Sequence, residues 1–447
     1  LSSGASGPER DGGRSDATLF DVHPIDGPAG EPDPKAMPKP GAFCSLPGSV
    51  VATPQGLFVM PGWDAGAHDL ASWLKVPVGF CAHYFGTVPE TRQLRFAPGG
   101  DLFAASPSVG CAGGAQGGHG EVVVLPDDNH DGLADDPHGV TFLSGLPSTQ
   151  GMMFANGYFY FQAGMDGTAI QRVVFKAGDR NPSGAIEPVT TITAPQAAEH
   201  WPRVLDIAQD GTIYISNASG QGETCKSNQP VFGSIWSLGP NGSTSQVARG
   251  FRNPIAMRCE TNHNVCLVAE LALDGSGTEG GREKIVAIRS GDDWGFPCCA
   301  THNIPYAGVT YADTGQAPDC SRVAPESASL TIGDTPFGID FETGVWPAPW
   351  TGRVFVALHG HVGTWEGARI VGIRLDPSTG MPMPATDLQG VSTNADDMMD
   401  FATGWYEPTL AHGRPAPITF APDGRMFLGN DINGDVIWMA PIDLQQH

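Results

Sequence analysis

The chain has 447 residues, of which 24 are Lys or Arg and 48 are Asp or Glu, for a formal charge of −24. A surface that negative repels phosphate backbones and anionic lipid, which excludes nucleic acid as a partner class. Charged residues are only 16% of the chain, too few for a coiled coil, and 60 glycines with 39 prolines are more than a helical bundle tolerates.

The hydrophobic share of 40% suffices for a sizeable core. There is no run of 18 apolar residues, so no membrane-spanning helix is expected. Nine cysteines in a lysine-poor, acidic chain point to an oxidising compartment, secreted or periplasmic.

Residues 1–40 are Gly-, Pro-, Ser- and Asp-rich without periodicity, and read as a tail or strap laid over the domain. The opening LSSGASGPERDGG reads as a mature or trimmed terminus. Residues 41–447 read as one domain in which a single pattern returns: an alternating apolar run, a tight Gly turn, a second β-rich run. A weak version is SVVATPQGLFVMPG (49–62); clear ones are QLRFAPGGDLFAAS (93–106), GMMFANGYFYFQA (151–163) and VLDIAQDGTIYISNA (204–218). IAMRCETNHNVCLVAE (255–270), the pair within 337–360, and PITFAPDGRMFLGN (417–430) continue the series. Each unit is too small to bury its own core, and radial packing of such sheets makes a β-propeller. Six blades are expected, with the 49–62 hairpin helping the C-terminus to close the ring; seven is the alternative.

Between the first and second units, Asp127, Asn129, Asp131, Leu133 and Asp135, with Gly132 at the sixth place, fit a calcium-binding loop. The twelfth place holds His138 rather than the usual glutamate, and a plain acidic Asx turn is the competing reading. Cys259 and Cys266 flank a polar turn and suit a cross-hairpin disulfide. Cys298 and Cys299 suit either a vicinal bridge or separate partners, Cys320 among them, and the odd count leaves one thiol over. His359 and His361 lie on one face of a strand and would suit a transition metal, with no third ligand evident.

In a propeller the residues just before each innermost strand converge on one end of the central channel. Here those positions hold Arg92, Gln150, His200 with Arg203, Arg252 with Asn253, and His412 with Arg414. A cationic cup within an anionic chain suits a compact ligand with several carboxylates or phosphates, which guanidinium groups bind bidentately.

The ordered segments EHWPRVLDIAQDGTIYIS, GFRNPIAM, GDDWGFPCC, FVALHG and GRPAPITFAPDG, spread over about residues 90–440, resemble the glucose/sorbosone dehydrogenase family. The resemblance implies a six-bladed propeller that uses pyrroloquinoline quinone (PQQ) with calcium to oxidise a sugar or related alcohol or aldehyde. Electrons would pass to an external acceptor. It places His200 on the catalytic base and Arg203 on a polar position beside it. Arg252 and Asn253 fall on the pair that contacts PQQ, Arg414 on a late cofactor arginine, and Arg92 on the equivalent position of the first blade. Where the family often has HG-x-WNR or a cofactor lysine, this chain departs with His359-Gly360-His361-VGT-Trp365, and His359 is the candidate cofactor residue there. A neutral imidazole is a competent base near pH 7, and neighbouring arginines disfavour its protonation.

The chain departs from that pattern at LALDGSGTEGGREKIV (271–286), where Arg282 and Lys284 stand in place of an acidic run, and at Ala416, where some members carry an arginine. Two other readings therefore accompany the dehydrogenase. One is a non-catalytic binding propeller with a degenerate cofactor site; the other is a lactonase-type hydrolase, which needs Asp, Glu and Asn converging on the axis.

Overall fold

The computed structural model describes residues 43–444 apart from 64–65, 111–116, 165–166, 193–199, 221–222, 229–231, 261, 275–280, 301–303, 362–363, 365, 384–396 and 407–411. The expected strap at 1–40 lies outside the described residues.

Six antiparallel sheets stand around one axis. Blade 1 runs outward through Gln93–Phe96, Leu102–Ser106, Glu121–Leu125 and Val140–Ser144, and blade 2 through Met152–Ala155, Tyr158–Ala163, Ala169–Val174 and Glu187–Thr191. Blade 3 is Leu205–Ile207, Ile213–Asn217, Ser234–Leu238 and Thr244–Arg249; blade 4 is Asn253–Glu260, Val265–Leu271, Glu283–Ala287 and Ala328–Leu330. Blade 5 is Pro336–Phe341, Val354–Leu358, Arg369–Ile373 and Met398–Ala402. Each of the six clear hairpins supplies the first two strands of a blade. The tight reversals need residues that accept positive φ, met by Gly100, Gly157 and Gly211 at φ 100°, 78° and 85°.

Blade 6 joins the ends of the chain. Its inner strands are Pro415–Phe420, Met426–Asn430 and Asp435–Pro441, and its fourth is the early strand Phe80–Thr87, paired from Asp435↔Thr87 to Pro441↔Phe80. The 49–62 hairpin adds outside that strand through Val50↔Ala82, so it extends blade 6 rather than closing the ring directly or founding a seventh blade. Closure by a strand from the other end of the chain leaves no unpaired seam in the ring.

Aromatic side chains fill the wedges between blades. Phe103, Phe142, Phe154, Phe159 and Phe175 interlock between blades 1 and 2. Trp346, 2% exposed, packs at 5.0–5.1 Å on Phe80, Phe355, Phe401 and Phe420 between blades 5 and 6. Four disulfides join described residues. Cys259–Cys266 spans its hairpin as expected, and Cys44–Cys81 ties the first turn to the closing strand. Cys298 and Cys299 bridge separately, to Cys225 and Cys320, which removes the vicinal reading. Cys111 lies outside the described residues.

All six inner strands run the same way along the axis, so their first residues mark one end of the channel, the mouth, and their last residues the other. Blades 4, 5 and 6 share a local device at the mouth. Pro254, Pro336 and Pro415 stand at the start of the inner strand, and each strand shows a register shift beside its proline. A residue without an N–H cannot donate to the ladder, and the resulting bulge re-aims the side chains before it. Those side chains include Arg252, Asn253 and Arg414. At the far end the channel is plugged by charge: Arg95 lies 3.5 Å from Asp206, and Arg258 bonds Asp340 at 2.6 Å.

Candidate active site at the mouth of the ring

Arg92, Gln150, Val204, Ile255, Phe337 and Pro417, one residue from each blade, line the cavity on the axis just below the mouth. Of the expected entry residues, Arg92 and Gln150 line this cavity, and the polar side chains at the strand starts form two groups.

The first group lies on blades 3 and 4. His200 is buried, and its Nδ1 sits 2.7 Å from the Ser219 carbonyl. A carbonyl only accepts, so Nδ1 carries a proton, and in the neutral ring Nε2 keeps the lone pair. Ser219 also donates from its N–H to the Arg252 carbonyl (2.8 Å) and from Oγ to the Phe251 carbonyl (2.9 Å), and its Oγ accepts from the Gly233 N–H (2.9 Å). One residue thus ties the candidate base to the strand that presents Arg252 and Asn253. The Arg252 guanidinium bonds the Ala272 carbonyl and the exposed carboxylate of Asp274, at 2.7 and 2.9 Å. Asn253 Oδ1 is buried without a partner among the described residues.

The second group lies on blades 5, 6 and 1. Asp431, in the turn after the second strand of blade 6, accepts from His359 Nε2 at 2.5 Å and lies 3.4 Å from Arg92. Burial would raise its pKa, but His359, Arg92 and Arg414 outweigh that and hold it down to about 2, so the carboxylate is ionised. Burial, reinforced by Arg414 and Arg92, presses His359 down to about 3 against the pull of Asp431, so the imidazole is neutral. His359 stacks on Phe337 at 4.2 Å, and Arg92 lies 5.2 Å above the same ring. Arg414 donates to the carbonyls of His359 (2.6 Å) and Gly360. Two residues at this mouth hold backbone conformations that side chains disfavour, Glu90 at φ 51° and the β-branched Thr335 at φ 56°, and such strain gathers at functional sites.

The expected residues divide as follows. His200, Arg92, Arg252, Asn253, His359 and Arg414 all lie at the mouth. Arg203 does not reach out as a catalyst: it is fully buried, and its Nη1 donates to the carbonyls of His200, Trp201 and Pro202 at 3.0–3.1 Å. It shapes the turn that carries His200. Of the cations at 282–284, Lys284 is paired: it lies 3.4 Å from Glu270, whose other oxygen accepts the Arg252 N–H. Glu283 accepts from the N–H groups of Ala272 and Gly333, and burial pushes it up to about 8.

Asp127, Asn129, Asp131, Leu133 and Asp135 follow the third strand of blade 1 and lie at the far end, away from the mouth. There Asp131 N–H donates to Asp127 and Asn129, Leu133 N–H to Asp131, and Asp128 N–H to Asp135, an Asx-turn ladder that closes the loop by itself. Among the described residues no three His, Cys, Asp or Glu side chains gather as a metal site, and the His359/His361 pair finds no third ligand.

Sequence reasoning missed Ser219, Asp431 and Gln162. Gln162 joins blades 2 and 3, its Oε1 accepting from the N–H groups of Gln150 and Arg203 and its amide donating to the Trp201 carbonyl. All three sit at the ends of second strands, outside the strand-start positions where candidates were sought.

No protein-family profile and no curated protein matches the chain. Solved structures do. The chain is similar to the holo form of the pyranose dehydrogenase PQQ domain from Coprinopsis cinerea, at TM-score 0.61 and 14% identity over 82% of this chain and 96% of that one. A calcium structure of a Trichoderma reesei family AA12 carbohydrate-active enzyme gives 0.61 and 14% over 83% and 97%. The PQQ-bound aldose sugar dehydrogenase from Streptomyces coelicolor gives 0.53 and 15% over 82% and 99%. At such identities the likeness establishes the shared six-bladed propeller.

Proposed function

We propose that the protein is a quinoprotein oxidoreductase that oxidises a sugar or a related alcohol or aldehyde and passes the electrons to an external acceptor. The observation that carries this reading is the contact of the buried His200 Nδ1 with the Ser219 carbonyl, which in the neutral ring makes Nε2 the proton acceptor, while the Ser219 N–H bonds the Arg252 carbonyl. The solved structures of like fold include two whose names specify PQQ.

The donor set fits such a cofactor. PQQ bears several carboxylates, and Arg252 and Asn253 would hold it together with Arg92 and Arg414. The buried, unpartnered Asn253 Oδ1 marks a polar position that a bound guest can satisfy. When bound, the quinone accepts the electrons of the oxidised C–H bond. His200 Nε2 takes the hydroxyl proton, the Ser219 carbonyl stabilises the imidazolium that results, and Arg203 holds the turn in place. The name of the Trichoderma reesei neighbour specifies calcium, and calcium is the proposed companion of the cofactor here. At the far-end loop it would act only as a structural brace.

The second reading, a binding propeller without catalysis, is favoured by one feature: Arg92, Arg252 and Arg414 are each engaged by the chain's own oxygens. Protein supplied with PQQ and calcium is expected to reduce an artificial dye with aldoses or simple alcohols as donors. Saturable PQQ binding with no dye reduction across such a panel would favour the second reading.

A further inference from the structure

Residues 288–327, between the third and fourth strands of blade 4, form the longest connection between consecutive strands of the propeller. This insert leaves its own blade and grips the backbone on both sides of the His200–Arg252 junction. On the Arg252 side, Trp294 N–H donates to the Arg249 carbonyl and Phe296 N–H to the Gly250 carbonyl, both at 2.9 Å, and Arg249 pairs with Asp293 at 2.8 Å. The approach is close enough to require glycine: Gly250 has φ 83°, and a Cβ there would lie 2.4 Å from Asp293 Oδ1 and 2.6 Å from Gly295 N. On the His200 side the insert holds the connection that follows Ser219. Cys298 is bridged to Cys225, Ala312 N–H donates to the Cys225 carbonyl at 2.8 Å, and Ser227 N–H donates to Asp313 at 3.0 Å. The Cys299–Cys320 bridge closes the insert on itself.

We propose that the insert is a positioning element that sets the tautomer of His200, with the Cys225–Cys298 bridge as its covalent tie; this rests on His200 being the proton acceptor. Ser219 bonds the Phe251 and Arg252 carbonyls beside the first gripped segment and the Glu223 side chain, two residues before Cys225, beside the second. Its carbonyl selects the Nδ1–H form only while it stays within hydrogen-bond reach of the ring. Exposed imidazole in water prefers the opposite tautomer, with the proton on Nε2. Loosening the connection after Ser219 therefore puts a proton on the nitrogen that has to accept one. The adjacent cysteines divide the work: Cys299 gives the insert its shape, and Cys298 fastens it to the neighbouring blade.

The test uses the full chain with the Cys225→Ser/Cys298→Ser pair and, separately, Asp313→Ala, which removes only an exposed contact. Nitrogen-15 NMR of the histidines in the cofactor-free protein reads the tautomer directly, with His200→Ala assigning the signal. Wild type is expected to show His200 protonated on Nδ1, and the double variant a mixture of tautomers. Misplacement of a reacting group by about 1 Å can cost on the order of 100-fold. Accordingly, kcat is expected to fall on the order of 10- to 100-fold in the double variant, with KM little changed. Asp313→Ala is expected to move both readouts in the same direction, by a few-fold in kcat. A folded double variant with the wild-type tautomer and kcat would overturn the proposal. If the double variant does not fold, an unaltered His200 signal in Asp313→Ala does the same. Undiminished activity in His200→Ala removes the assignment of the base instead, which separates that failure from this one.

Discussion

Replacing His200 with alanine is expected to lower kcat by on the order of 100- to 10,000-fold while leaving PQQ affinity within a few-fold of wild type. That range is what a positioned general base contributes. The geometry separates the two effects: the imidazole is anchored by Ser219, whereas the candidate cofactor arms are Arg252 and Asn253 on the next blade. His200→Gln is expected to behave like His200→Ala, because an amide cannot accept the proton. Steady-state dye reduction together with a PQQ titration of each variant checks this. Loss of cofactor affinity in step with kcat would assign His200 to binding rather than to proton transfer.

Trp346→Ala is expected to cost about 3–5 kcal/mol of stability, the range for removing a large buried aromatic side chain. Trp346 touches Phe80 of the closing strand as well as Phe355, Phe401 and Phe420, and its Nε1 donates to the Gly424 carbonyl at 2.8 Å. Its loss opens a cavity at the seam where the two ends of the chain meet, so the cost falls on ring closure. Denaturant unfolding followed by tryptophan fluorescence measures it. Trp346→Phe is expected to recover about half, since the contacts survive in part and the hydrogen bond does not. A variant as stable as wild type would show that Phe80–Thr87 closes the ring without this wedge.

The repeating hairpins were legible because a half-buried strand alternates and its turn needs Gly. The six units named by their turns are the six inner pairs of the blades. The closing strand was not legible. Phe80–Thr87 reads FCAHYFGT and is buried along nearly its whole length, because it lies between Asp435–Pro441 and the outer hairpin, so no alternation marks it. The mouth was legible where candidates precede inner strands, as His200, Arg252 and Arg414 do. Asp431 and Ser219 follow second strands, and neither residue type nor spacing singles them out before the sheets are assembled. Arg203 shows the converse. It adjoins His200 in sequence, but its contacts with the carbonyls of His200, Trp201 and Pro202 give it a structural role.

The most direct measurement is an equilibrium titration of the cofactor-free protein with PQQ in excess calcium, followed by absorbance. A saturable spectral change at micromolar or lower PQQ, weakened at least about tenfold by Arg252→Ala through loss of a charge-assisted contact, is the expected result. No spectral change at any PQQ concentration would mean that the arginines at the mouth serve only the chain's own oxygens, and would contradict the dehydrogenase reading.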